Sequence, residues 1–127
     1  MAQSFIPNQT LKTKSALCLL IAAAAMLACR SHGIDITIQN NAQAPLRNVE
    51  LDYPGGAFGT GMIAPGASYW YHIKPNAEGE ITLTFQREDG TVFQQKGATV
   101  RPGKTGRMTV FLDQDASKQW RMRADRK

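Results

Sequence analysis

The chain has 127 residues, enough for one domain of ordinary size and too few for two. At 43% apolar residues it is too apolar to stay disordered, and two Cys are too few for a disulfide-built miniature. Its formal net charge of +5 is unevenly spread, and so are its apolar residues.

Residues 1–14 are mostly polar and carry Lys12 and Lys14 with no acid; Ala16 to Ala28 then run as ALCLLIAAAAMLA without a charge. A basic region, a short apolar core and small residues at its end are the three parts of a secretory signal. The core is 13 residues long, against about 20 for a spanning helix. Four consecutive alanines beside LCLLI leave no polar face for a buried helix to turn toward water. Residues 1–28 are therefore expected to be a signal peptide.

Cys29 stands where the apolar run stops. The stretch Met26-Leu27-Ala28-Cys29 resembles a bacterial lipobox, departing from it at Met26 and in the bulk of Leu27. The resemblance implies cleavage before Cys29 and acylation of its thiol and amine. The alternative is ordinary cleavage that leaves Cys29 as a free thiol. Cys18 is discarded either way, so the mature chain has no internal disulfide, and acylation removes the liability of a lone thiol in an oxidising compartment. By the same resemblance, Arg30 in place of an acid implies the outer membrane, facing the periplasm, and otherwise a periplasmic location.

The remaining 99 residues hold thirteen Lys and Arg against ten acids. Residues 29–33 read as a short tether. From Ile34 the period becomes two: Ile34, Ile36 and Ile38 alternate with Asp35, Thr37 and Gln39, as in a half-buried strand. Asn40-Asn41 opens a turn ending near Pro45. Val49, Leu51 and Tyr53 form the inward phase of a second strand, which Pro54-Gly55-Gly56 ends. The Gly-rich stretch from Gly55 to Gly61 reads as a long turn, with a short extended piece at Met62-Ile63.

Ala67 to Lys74 is aromatic and β-prone; either Tyr69, Tyr71 and Ile73 or Trp70 and His72 face inward, and the regular apolar continuation favours the first set. Glu80 to Arg87 places Ile81, Leu83 and Phe85 on one face, and Asp89-Gly90 signals a two-residue hairpin back to Thr91–Lys96. Met108, Val110 and Leu112 share a face of the next strand, and Lys118 to Met122 makes a short last one. The pattern predicts an all-β fold, a small antiparallel β-sandwich of about seven strands over residues 34–122, followed by a basic tail at 123–127. In strand count and spacing it resembles immunoglobulin-like or fibronectin type III-like domains, without the Cys…Trp…Cys spacing of true immunoglobulin domains.

Residues suited to chemistry are sparse. His32 and His72 are the mature chain's histidines, so a zinc cluster lacks its ligands, and His32 alone offers too little for a specific copper or nickel site. Neither metal nor other cofactor is expected. Ser68 and Ser117 show no nucleophile motif, and a lone strand histidine is ordinarily a surface residue. Glu50 and Asp52 share a strand face about 6–7 Å apart, near the separation used in glycoside hydrolysis, but any strand with a polar face has such pairs. The Gly55–Gly61 stretch lacks both GxGxxG and a phosphate-gripping Lys. No enzyme activity is expected.

Binding has more candidates. Phe58, among glycines, either plugs one end of the sandwich or anchors a partner. Trp70, beside His72, is expected to face out and could meet a sugar or a protein. The last ten residues carry Lys118, Arg121, Arg123, Arg126 and Lys127 against Asp125. Export makes nucleic acid an improbable counter-ion, whereas anionic envelope surfaces suit it; a merely solvated positive end is the other reading. The expectation is a non-enzymatic envelope lipoprotein, held to the membrane through Cys29, that binds an envelope protein or an anionic surface component. Two alternatives stay open: an accessory subunit of a secretion or assembly complex, or a soluble periplasmic or secreted carbohydrate- or protein-binding domain.

Overall fold

Strict alternation produces the central strands. The computed structural model describes residues 32–127. The expected signal at 1–28, Cys29 and most of the 29–33 tether lie outside them. In β1 (Gly33–Asn40) the three isoleucines are buried, and Asn40 joins them at the far end. The other strands are β2 (Leu46–Tyr53), β3 (Gly56–Ile63), β4 (Ser68–Ile73), β5 (Gly79–Gln86), β6 (Val92–Val100), β7 (Thr105–Gln114) and β8 (Trp120–Arg126). Among the described residues there is no helix.

The eight strands form two four-stranded sheets, ordered β4-β1-β7-β8 and β3-β2-β5-β6. All pairs are antiparallel except β1 with β7, which run parallel. The fold is an immunoglobulin-like β-sandwich. Its core lies between the sheets: Ile36, Ile38, Val110 and Leu112 of the first meet Leu51, Ile81, Leu83 and Phe85 of the second. Asn40, fully buried, has its polar atoms occupied. Its side-chain N–H groups donate to the carbonyls of Ala44 (2.9 Å) and Ile63 (3.1 Å), and its side-chain oxygen accepts from the Ala42 N–H (3.0 Å). One side chain thus ties the β1–β2 turn to the end of β3.

Four local expectations are corrected. The Gly-rich stretch is a strand rather than a long turn: only Pro54-Gly55 turns, and β3 then pairs along β2, with Leu51 opposite Phe58 and Leu46 opposite Ile63. Glycine weakens an isolated strand, but here it permits close approach. A Cβ on Gly59 would stand 2.4 Å from the Val49 carbonyl oxygen. Nearby, β2 is irregular around Asn48, whose φ is +47°. That irregularity lets Leu46, three residues before Val49, reach the core as well.

The Asp89-Gly90 turn spans three residues rather than two. The Arg87 N–H donates to Thr91 O (2.8 Å), the Gly90 N–H to Arg87 O (3.0 Å), and only Gly90 takes a positive φ, +84°. Asp89 instead accepts from the backbone N–H and hydroxyl of Thr91. Tyr71, expected inward, is 41% exposed because β4 is an edge strand, although its ring stacks on Phe58 at 4.6 Å. Lastly, residues 123–126 are no tail. They continue β8, pairing Arg123 with Phe111 and Arg126 with Met108, because the ten-residue β7 offers backbone partners along its length.

Candidate functional site

The outward phase of the β4-β1-β7-β8 sheet collects most of the residues suited to binding. Directly paired residues point to the same face, so the registers place side chains in rows. His72, Asp35 and Arg107 make one row; Trp70, Thr37, Thr109 and Asp125 the next. Ser68, Gln39, Phe111 and Arg123 follow, and then Asp113 with Arg121. Trp70, His72, Arg121 and Arg123, far apart in sequence, therefore share one surface. Phe58 does not: it belongs to the other sheet, is 6% exposed, and packs among Tyr53, Tyr69 and Tyr71.

Trp70 is 60% exposed and borders a shallow depression of about 640 Å³, together with Thr37, Thr109 and Phe111. The Arg123 guanidinium lies 4.4 Å over the Phe111 ring and bonds Asp125 at 3.3 Å, a cation–π contact that holds the long side chain flat. Arg121 reaches Asp115 at 3.4 Å. That carboxylate is itself held by the Gln119 and Ser117 N–H groups, and these bonds, with Gln119 first, pull its pKa below the usual range.

His72 closes the other side of the face. One ring nitrogen lies 2.6 Å from the Asp35 carboxylate and the other 3.1 Å from the His32 carbonyl oxygen. Both partners are acceptors, so the doubly protonated ring fits them best. The hydrogen bond to Asp35, then that to His32, raises the His72 pKa above 6.5. His72 is thus engaged in holding the start of β1 against β4. Among the described residues no three of His, Cys, Asp and Glu gather as metal ligands. Glu50 and Asp52 lie on the other sheet, opposite Thr84 and Thr82.

Phe111 and Asp35 belong to this face yet were not singled out as site residues. The signal for Phe111 was present: it is an aromatic in the polar phase of Arg107, Thr109 and Asp113, out of step with Met108, Val110 and Leu112. Asp35 carries no such mark, because its partner lies 37 residues away.

The described domain is similar to a protein from Eubacterium rectale whose structure was determined by NMR, with a TM-score of 0.59 and 14% identity over 75% of this chain and 90% of that one. The likeness is one of fold. No protein-family model matches the chain, and no curated protein matches it.

Proposed function

We propose that this protein is an exported, non-enzymatic recognition module of the cell envelope, anchored through an acylated Cys29. It offers the outer face of the β4-β1-β7-β8 sheet to an envelope partner rather than to nucleic acid, and uses no cofactor. The observation that carries this reading is Trp70, a large aromatic left 60% exposed in a row of hydroxyls and a carboxylate. Exposed aromatics of this kind tend to dominate recognition energy when a partner covers them, and here charged residues rim them. The anchor is supported by the run Ala16–Ala28 ending at Cys29, with the outer membrane as its expected destination.

Two measurements test the two halves. Intact mass of the membrane-extracted protein should give a chain beginning at Cys29 with added acyl mass. A different start, or no added mass, removes the anchor. The domain His32–Lys127 contains both sheets and the whole core, and so folds without what precedes it. Its binding to purified envelope fractions should fall at least tenfold on Trp70→Ala, with the thermal melt unchanged. Binding that survives the substitution removes the face as the recognition surface. A soluble glycan-binding domain is the second reading, favoured by Thr37 and Thr109 beside Trp70. It predicts an unacylated chain and retention on polysaccharide by the same residue.

A further inference from the structure

One end of the sandwich gathers cations that local sequence does not bring together. The β6–β7 connection, turning at Pro102-Gly103, supplies Arg101 and Lys104; the first turn of pairing in β7 supplies Arg107; and the end of β8 supplies Arg126. These four side chains surround a cavity of about 350 Å³, whose apolar floor includes Ile34 and Val100. No acidic residue lines it among the described residues. Arg101 pairs with Glu78 at 3.0 Å, and Arg126 donates to the Thr99 carbonyl. Lys104 and Arg107 have no carboxylate partner among the described residues, in contrast to Arg121 and Arg123, each of which has one.

This is also the end where the chain joins the domain, since Gly33 pairs with Thr105 and Ile34 with Gly106. Only residues 30–32 separate Cys29 from Gly33, a reach of at most about 14 Å for fully extended chain. An anchor at Cys29 therefore holds the cationic end within one or two Debye lengths of the headgroups, where each Lys or Arg gains about fivefold in affinity for an anionic surface. Arg121, near the other end of β8, sits six β7 positions further out, about 20 Å away.

We infer that the Arg101–Lys104–Arg107–Arg126 end is a docking surface for the phosphates of anionic lipid headgroups, seating the domain end-on so that the Trp70 face stands across the membrane plane rather than against it. The apolar floor suits the ester-linked side of a headgroup better than a free ion. The choice of lipid over free phosphate rests on the Cys29 anchor. The test is independent of acylation, which the intact mass reads separately.

The unacylated domain His32–Lys127 is sedimented with vesicles of phosphatidylcholine alone or mixed with phosphatidylglycerol. It should bind the mixed vesicles only, and more weakly at 0.15 M salt than at low salt. Lys104→Gln with Arg107→Gln should weaken binding about twenty-five-fold at low salt. Arg47→Gln with Lys118→Gln makes the same charge change at the opposite end and should weaken it less than threefold; melts confirm that both variants are folded. Equal weakening by the two pairs would reduce the effect to net charge and overturn the proposal, as would absence of binding to the mixed vesicles. Displacement by millimolar inorganic phosphate at matched ionic strength would make the cavity a small-anion site and overturn the lipid assignment.

Discussion

His72 shows how one side chain can fasten a fold at its margin. Its ring bridges the Asp35 carboxylate and the His32 carbonyl, joining β4 to the first residues of β1. Because these acceptors raise its pKa above 6.5, the ring holds its proton more tightly in the folded chain than in the unfolded one. The stabilisation is therefore complete below about pH 6.5 and is lost as pH rises through the elevated folded value. Both partners are about one-third exposed, so solvent limits the effect to about 0–1 kcal/mol. Urea unfolding between about pH 6 and pH 8 should show wild type losing stability relative to His72→Gln as pH rises. Parallel pH profiles would remove the bridge. Asn40 makes a different kind of fastening: it is uncharged and buried, and its three side-chain bonds need no proton to form or break.

Edge elements decide where strands stop. β8 pairs on one side only, and its second half reads RADR, with Arg123, Asp125 and Arg126 exposed and Ala124 half-buried. Hydrophobicity alone gives no reason to extend it beyond Met122. Backbone pairing does: four residue pairs join Arg123–Arg126 to Met108–Phe111, and Lys127 exchanges two further bonds with Arg107. Removing residues 123–127 should therefore cost about 3–6 kcal/mol, at roughly 0.5–1 kcal/mol net per ladder bond on a solvent-exposed edge, and lower the melting temperature of the domain. An unchanged melt would mean that β8 contributes no stability past Met122. β3 makes the complementary case: a glycine-rich segment is extended because β2 provides its partner and Phe58 and Ile63 bury against the core.

At the scale of the molecule, the two sheets depend on residues that meet only across the sandwich. Leu83 lies mid-strand in β5, fully buried, while the adjacent Thr84 is half-buried on the opposite face. Leu83→Ala should cost about 2–5 kcal/mol through lost transfer energy and an incompletely collapsed cavity. Thr84→Ala should stay within about 1 kcal/mol, as a change away from the core. Urea denaturation of His32–Lys127 compares them directly; equal losses would contradict the assignment of the two faces. The same architecture sets two surfaces side by side, with Arg107 bordering both. The Trp70 face looks sideways from the first sheet, and the cationic end lies where the chain joins the domain.

Period-two alternation is a local property, so residues 34–39, 80–87 and 107–112 declared their strands and inward faces without reference to any partner. The exposure of Trp70 followed from the same alternation. Tertiary structure decided what depends on a partner distant in sequence. The strand character of β3 and the close approach at Gly59 needed β2 beside them, and the length of β8 needed β7. Functional geometry divides in the same way. Alternation told which side chains point outward. Strand order and register, including the parallel β1–β7 pair, decided that Trp70, Phe111 and Arg123 share a face and that Arg101, Lys104, Arg107 and Arg126 share an end, because neighbourhood within a sheet is set by non-local hydrogen bonding.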